Sequence, residues 1–383
     1  MRNTLIANKK TFSVVVNIFF LLCLSPLVIF SYKHPSNNWD MLGYIAIVMR
    51  IDGVKDVKEI HQVTYTSVKK NIPEKDYKQL VDSSGVRAKF ASDPLLFEKI
   101  LPIHVVKPLY ILFVYFAYKA GFDLPAATVM PSLIAYSLIG LLLFHWLKKL
   151  MRKAIAFFAA LLIMSSGFMI SSARLSSPDM LSAFFLLATF YFILERPNIR
   201  WSLLFLILSI FTRADNILTA FSVFTLLFIA DQSKIKMSKN QYLLVLLVLA
   251  TVYFITIFPI RQFGWSLFYY SEYSKYMDFN RNFDKAYALS DYFSYMYSKV
   301  IAGLISGHFT LFVLLALLII LNRFPIKFRQ LSLDQLFSLL LVFIMAIRFL
   351  LLPDLSDRFN IAYYLCLLII LSKKTVKNAF VHL

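Results

Sequence analysis

The sequence predicts an all-α polytopic membrane protein with about ten transmembrane helices and interfacial helices in its first outer loop. Three observations predict it. Hydrophobic residues make up 59% of the chain and the mean hydropathy is +0.69, more than a soluble core requires. The apolar residues fall in runs, several of them about 20 residues long, the length that crosses a hydrocarbon core. The Lys and Arg residues behind the net charge of +19 cluster between those runs, as topology signals do. That placement argues against nucleic acid as a partner. The two cysteines, Cys23 and Cys366, each lie inside an apolar run, so neither a disulfide framework nor a cysteine-based metal site is expected.

The first run, near 12–31, follows Arg2, Lys9 and Lys10. It has no small-residue cleavage site after its apolar core, so it is expected to remain as an anchor with the N-terminus in the cytoplasm. Further runs lie near 103–121, 127–147, 154–173, 178–194, 200–212, 216–230, 241–260, 300–321, 334–352 and 359–372. The run 103–121 decides the topology. If it spans, the cluster Lys148, Lys149, Arg152 and Lys153 falls outside and every later loop inverts. If it lies along the surface, that cluster becomes cytoplasmic. So do Arg196 with Arg200, Lys234 with Lys236 and Lys239, Arg323 with Lys327 and Arg329, and Lys373 with Lys374 and Lys377. The run also carries His104, Lys107, Pro108 and Lys119, which suit an interfacial helix. The expectation is about ten spans with both termini cytoplasmic.

This topology leaves two substantial outer segments, 32–126 and 261–299, within a single integral domain spanning 1–383. The first opens on Asn37-Asn38-Trp39-Asp40, continues through Met41–Ile51, apolar enough to lie along the membrane, and closes with Lys107-Pro108-Leu109-Tyr110. The second is dense in aromatics from Trp265 to Tyr297, a pattern of membrane belts more than of sugar-stacking surfaces. Taken alone, Trp39 and Asp40 read as an interfacial anchor beside a solvated acid.

The short outer turns change that reading. Arg174 and Asp179 join the third and fourth spans, Arg213 and Asp215 the fifth and sixth, and Asp354, Asp357 and Arg358 the ninth and tenth. All emerge on the face of Asp40. Ionisable groups at a membrane persist chiefly when paired or lining a wet cavity. The run 200–212 is only about 18 Å long at 1.5 Å per residue, so Arg213 and Asp215 are expected inside a recess. Arg348 lies within an apolar run. Snorkelling to the interface accounts for it, and so does binding an anionic group at the depth of lipid phosphates, together with Lys107, Arg174, Arg213 and Arg358.

These residues resemble the GT-C superfamily of integral-membrane glycosyltransferases, which use polyprenyl-phosphate sugars and include protein O-mannosyltransferases and aminoarabinose transferases. The likeness rests on Asp40 early in the first outer loop, on Lys107-Pro108, on the turn holding Arg174 and Asp179, and on Thr212-Arg213-Ala214-Asp215-Asn216. Asp40 is followed by Met41 rather than a second acid, and Lys107 by a single proline rather than two.

The resemblance implies transfer of a sugar from a polyprenyl-phosphate donor to a hydroxyl on a glycan, lipid or protein, at the outer membrane face. The leaving phosphate needs cations and the acceptor hydroxyl needs a base. Asp40 would be the base, with Lys107, Arg174, Arg213, Arg348 and Arg358 holding the donor phosphate and Asp179 and Asp215 as supporting acids. A divalent metal ion on Asp40 is compatible with this chemistry, although no His-rich or Cys-rich spacing demands one. A lipid-linked-sugar flippase, transporter or polymerase is the competing reading; a transporter is expected to place its charges at the bilayer midplane. A noncatalytic membrane scaffold has no need of Arg and Asp gathered in small outer turns.

Overall fold

The computed structural model describes residues 2–82, 85–231, 233–260, 289–306, 331–354 and 356–381. Most of the aromatic outer segment, the run 300–321 beyond residue 306 and the basic cluster 323–329 lie outside the described residues. Helix follows helix throughout: α1 (Arg2–Lys33), α2 (Asp40–Ile51), α3 (Val57–Asn71), α4 (Glu74–Asp82), α5 (Gly85–Ser92), α6 (Pro94–Glu98), α7 (Leu101–Val105), α8 (Pro108–Lys119) and α9 (Leu124–Leu147). Then come α10 (Lys153–Met164), α11 (Gly167–Ala173), α12 (Asp179–Leu194), α13 (Ile199–Thr212), α14 (Ile217–Ile229), α15 (Lys239–Ile257), α16 (Leu289–Ser306), α17 (Leu333–Leu351) and α18 (Ile361–Val381). Extended pairing among the described residues is limited to a bridge between Ser36 and Leu175.

Helix α9 is the hub. It packs on α1, α2, α3, α8, α10, α11, α12 and α18. Asp123 starts it by accepting the Ala126 amide at 2.9 Å, with Pro125 in the first turn, where a missing N–H costs nothing. Its 24 residues extend about 36 Å. By contrast, α1 and α15 present Val14, Ile18, Leu22, Leu247 and Phe254 outward, the expected partner of such faces being lipid.

Four helices are long and apolar enough to cross a membrane: Val14–Lys33 within α1, α9, α15 and α17. Counting two bent pairs as one span each raises this to six. Four further apolar helices, Asp179–Leu194, Ile199–Thr212, Ala214–Ile229 and Ile361–Lys373, are shorter. The architecture is thus all-helical and of membrane type, with four to six candidate crossings by length.

Two expectations change in detail. The run 154–173 is a broken helix: α10 and α11 meet at 62°. Ser165 and Ser166 turn their hydroxyls back to the Leu162 and Ile163 carbonyls, a backbone competition that bends helices. Tyr136 donates to the Met164 carbonyl at 2.6 Å, satisfying an acceptor that the break leaves free. Second, Met41–Ile51 does not lie with one face against the membrane. Residues Met41 to Met49 of α2 are all buried, packed against α3, α7, α8 and α9, as a helix apolar on every side requires.

Candidate functional site

The charged residues gather where helices begin and end. Asp40 and Asp179 are the first residues of α2 and α12, where a negative charge complements the helix dipole. Arg348 lies in the last turn of α17, where a positive charge does so. Arg213 terminates α13, Asp215 lies in the 3-10 turn Ala214–Asn216, and Arg358 in the turn Asp357–Phe359.

Arg213 is the centre of the network. Its Nε and Nη2 donate to the two oxygens of Asp215 at 3.0 and 2.9 Å, a planar fork that lysine cannot make. Its Nη1 donates to Asp179 Oδ1. Asp179 Oδ2 lies 3.5 Å from Arg358 Nε, and Asp215 Oδ2 accepts from Arg348 Nη2 at 2.6 Å. Arg348 Nη1 also donates to the Phe359 carbonyl at 2.8 Å. The Phe359 ring lies 4.4 Å from Arg213, 4.7 Å from Arg358 and 5.9 Å from Arg348, so its π face helps hold three like charges together. Asp179, Arg213, Arg348, Arg358 and Phe359 line a narrow cleft.

Asp40 joins this cluster through the loops that frame it. Asn38 Nδ2 donates to Asp40 Oδ2 at 3.3 Å, and Asn38 Oδ1 accepts the Ser176 amide at 3.2 Å. Ser36 N donates to the Arg174 carbonyl at 2.8 Å, closing the bridge between the loop after α1 and the loop before α12. From α9, Ser132 donates to the Leu175 and Ser177 carbonyls, and Thr128 pairs with Ser176. Small polar residues on the hub helix thus fix the loop before α12, to which Ser36 and Asn38 tie the loop that leads to Asp40.

Lys107 donates to the Tyr44 hydroxyl at 2.9 Å, with its ammonium 5.1 Å from the Tyr44 ring centre. Burial pushes its amine toward neutrality, and Asp40 opposes that push. For Asp40 the balance is reversed. Burial opposes its charge, but His104, Lys107 and Arg358 together outweigh burial and hold the carboxyl below the usual carboxylate range.

Asp40, Lys107, Asp179, Arg213, Asp215, Arg348 and Arg358 therefore stand in one charged neighbourhood. Arg174 turns elsewhere: its Nε donates to the His34 carbonyl and its guanidinium lies 5.7 Å from the Phe30 ring, against the end of α1. Its backbone, not its charge, serves the site loop. Sequence reasoning missed Phe359, Tyr44 and His104. The last is 3% exposed and puts Nε2 3.8 Å from Asp40 Oδ1. Among the described residues no group of three or more His, Cys, Asp or Glu side chains converges to hold a metal ion.

No family model, curated protein or solved structure matches the chain, so the functional reading draws on these side chains.

Proposed function

We propose that the protein is a glycosyltransferase that moves a sugar from a polyprenyl-phosphate donor to a hydroxyl acceptor on the outer face of a membrane. The observation that carries this reading is the gathering of charges at the helix ends, with Asp40 in the field of Lys107 and Arg358 and Arg358 in turn lining a cleft with Arg213 and Arg348. Expulsion of a phosphate needs positive charge near its oxygens and no proton donor of its own. The incoming hydroxyl needs a carboxylate. In this reading Asp40 is the base and the cations hold the phosphate, while Asp179 and Asp215 keep the arginines in place until an anion arrives. Arg174 contributes the loop rather than a phosphate contact.

The reading includes a topology of about ten spans with both termini cytoplasmic and the cleft outside. The shorter apolar helices α12, α13 and α14 then stop short of the membrane surface within a protein surround, their ends forming the recess that holds Arg213 and Asp215. The placement of the charges at helix ends favours a transferase over a transporter, whose sites lie at the midplane.

Mass spectrometry of surface glycans and glycolipids, with and without the protein, tests it. Loss of one sugar residue from one class of product is the expected outcome. Unchanged products, together with altered amounts of an intact lipid-linked sugar on the two faces of the membrane, would support the flippase instead.

A further inference from the structure

The hub helix α9 ends on a second group of charges, far from the cleft. Asp179 starts α12 beside Arg213, and Glu195, just past the end of α12, lies 3.3 Å from Lys149. The 16 residues of α12 put about 24 Å between the two places. Here Lys148, Lys149, Arg152 and Lys153 crowd into the turn between α9 and α10. The Leu150 and Met151 amides both donate to the Leu147 carbonyl, at 2.9 and 3.0 Å, so the turn is tight and the four cations stay together.

The two lysines leave α9 in different directions. Lys149 is answered by Glu195 and by the Tyr191 hydroxyl, to which it donates at 3.1 Å. Lys148 turns to α1 instead, donating to Asn17 Oδ1 at 2.8 Å with its ammonium 4.5 Å from the Phe144 ring. Neither partner is an anion. Burial and the charge of Lys153 both push the Lys148 amine toward neutrality. Helix α10 begins with no side-chain cap and no acid in its first turn, so its dipole also favours a negative charge there. An anion from outside the chain would offset all three.

The surface beside Lys148 decides what carries that anion. Ile155, Phe158 and Leu162 follow Arg152 at helical spacing on α10, and all are exposed. On α1, Phe19 and Leu22 are exposed just past Asn17. The two rows meet where Phe19 stacks on Phe157, ring centres 5.6 Å apart. From Arg152 to Leu162 is about 15 Å, half of a hydrocarbon core of about 30 Å and so the depth of one leaflet.

We propose that the corner between α1 and α10 binds an anionic phospholipid, with its phosphate held by Lys148, Arg152 and Lys153 and its acyl chains on the exposed rows of the two helices. Basic pockets between membrane helices hold such head groups. A cluster that served orientation alone would be solvated, whereas Lys148 is drawn into the seam with α1. A free phosphate has no use for the apolar rows. A second copy of the chain, with its net charge of +19, offers the wrong charge. The site stands apart from the cleft and from the transferase reading.

The test uses the full chain purified in mixed micelles with equal amounts of phosphatidylglycerol and phosphatidylcholine. Native mass spectrometry counts the lipids that remain when detergent is stripped. Phosphatidylglycerol is expected to be retained in preference, and equal retention overturns the site. Lys148→Gln keeps a donor for Asn17 while removing the charge. It is expected to weaken phosphatidylglycerol binding by roughly tenfold to a hundredfold, the range of a charge-assisted hydrogen bond. Lys234→Gln removes the same charge from an exposed lysine in another basic cluster, and its effect is expected to stay within about fivefold, the surface attraction of one lysine. Equal losses in the two variants mean diffuse attraction and overturn the site.

The unmutated protein supplies a readout that depends on no variant folding. Phosphatidylglycerol with a photoreactive acyl chain is expected to label peptides of α1 around Phe19 and of α10 around Phe158. Labelling centred on other helices overturns the assignment. Inorganic phosphate separates the two sources of the anion: it is expected to leave the retained lipid in place. If it displaces the lipid and raises the unfolding temperature as much, the ligand is a free anion and the lipid site is overturned.

Discussion

Replacing Asp179 by asparagine removes a buried carboxylate that faces two guanidiniums. Its side chain is 2% exposed, and those of Arg213 and Arg358 are 13% and 27% exposed. Removing one partner of a buried ion pair costs about 3 to 5 kcal/mol, because the remaining charge is left uncompensated. Here Arg213 keeps its fork to Asp215, and water partly relieves Arg358. The expected cost is therefore near the lower limit, about 3 kcal/mol. Asp215→Asn is the control, since it also strips a carboxylate from two arginines but at a side chain 41% exposed. Solvent screening reduces its expected cost to about 1 kcal/mol. Reversible unfolding in mixed micelles, at fixed pH and salt, compares the two. Adding Arg358→Gln to Asp179→Asn should recover part of the loss, a coupling that a double-mutant cycle reads directly. Equal costs for the two asparagine variants, or a cost below about 1 kcal/mol for Asp179→Asn, would refute the assignment of Asp179 as the buried anchor of the network.

Gly43→Ala places a methyl 2.6 Å from the buried His104 ring, so overpacking should destabilise the protein by about 1 to 3 kcal/mol, read by the same unfolding assay. Arg348→Lys should weaken binding of a polyprenyl phosphate by roughly tenfold to a hundredfold, since a charged hydrogen bond contributes about 1.5 to 3 kcal/mol; equilibrium binding of the radiolabelled lipid measures it, and unchanged affinity would favour snorkelling. Asp40 has its folded-state proton affinity reduced, so the stability it contributes is present above the ordinary value of 3.8 and is lost as pH falls through the lower folded value. The stability gap between the unmutated protein and Asp40→Asn should therefore be widest above pH 3.8 and close below it, as acid titration of the unfolding midpoint would show.

The membrane-type helical architecture is legible in hydropathy and length alone, and the clustering of Asp179, Arg213, Asp215 and Arg358 is legible in turns too short to leave them far apart, which Arg348 joins from within an apolar helix. Other features escape because nothing local signals them. Helix α2 is apolar on every side, and such a helix gives no periodicity to tell burial in protein from contact with lipid. The break between α10 and α11 depends on two serine hydroxyls bonding back to the chain, a choice that serine in an apolar run does not dictate. Arg174 lies close to Asp179 in sequence, yet beside the Ser36 bridge its side chain meets His34 and Phe30 at the end of α1. Lys107 meets Tyr44 across 63 positions, a tertiary contact invisible to spacing. His104 reads as a polar residue of an amphipathic run until Gly43 is seen to make a place for its ring.

The most direct test of the central claim is single-turnover transfer by Asp40→Asn, with the donor sugar identified from the glycan analysis and binding of the polyprenyl-phosphate donor measured on the same protein. Asparagine keeps the shape and the contact with Asn38 while removing the charge. Base catalysis contributes about 10² to 10⁴ in rate, so the chemical step should slow by roughly that factor with donor affinity nearly unchanged. Retention of most of the single-turnover rate would contradict Asp40 as the base, and a parallel collapse of donor binding would make it part of the binding site instead.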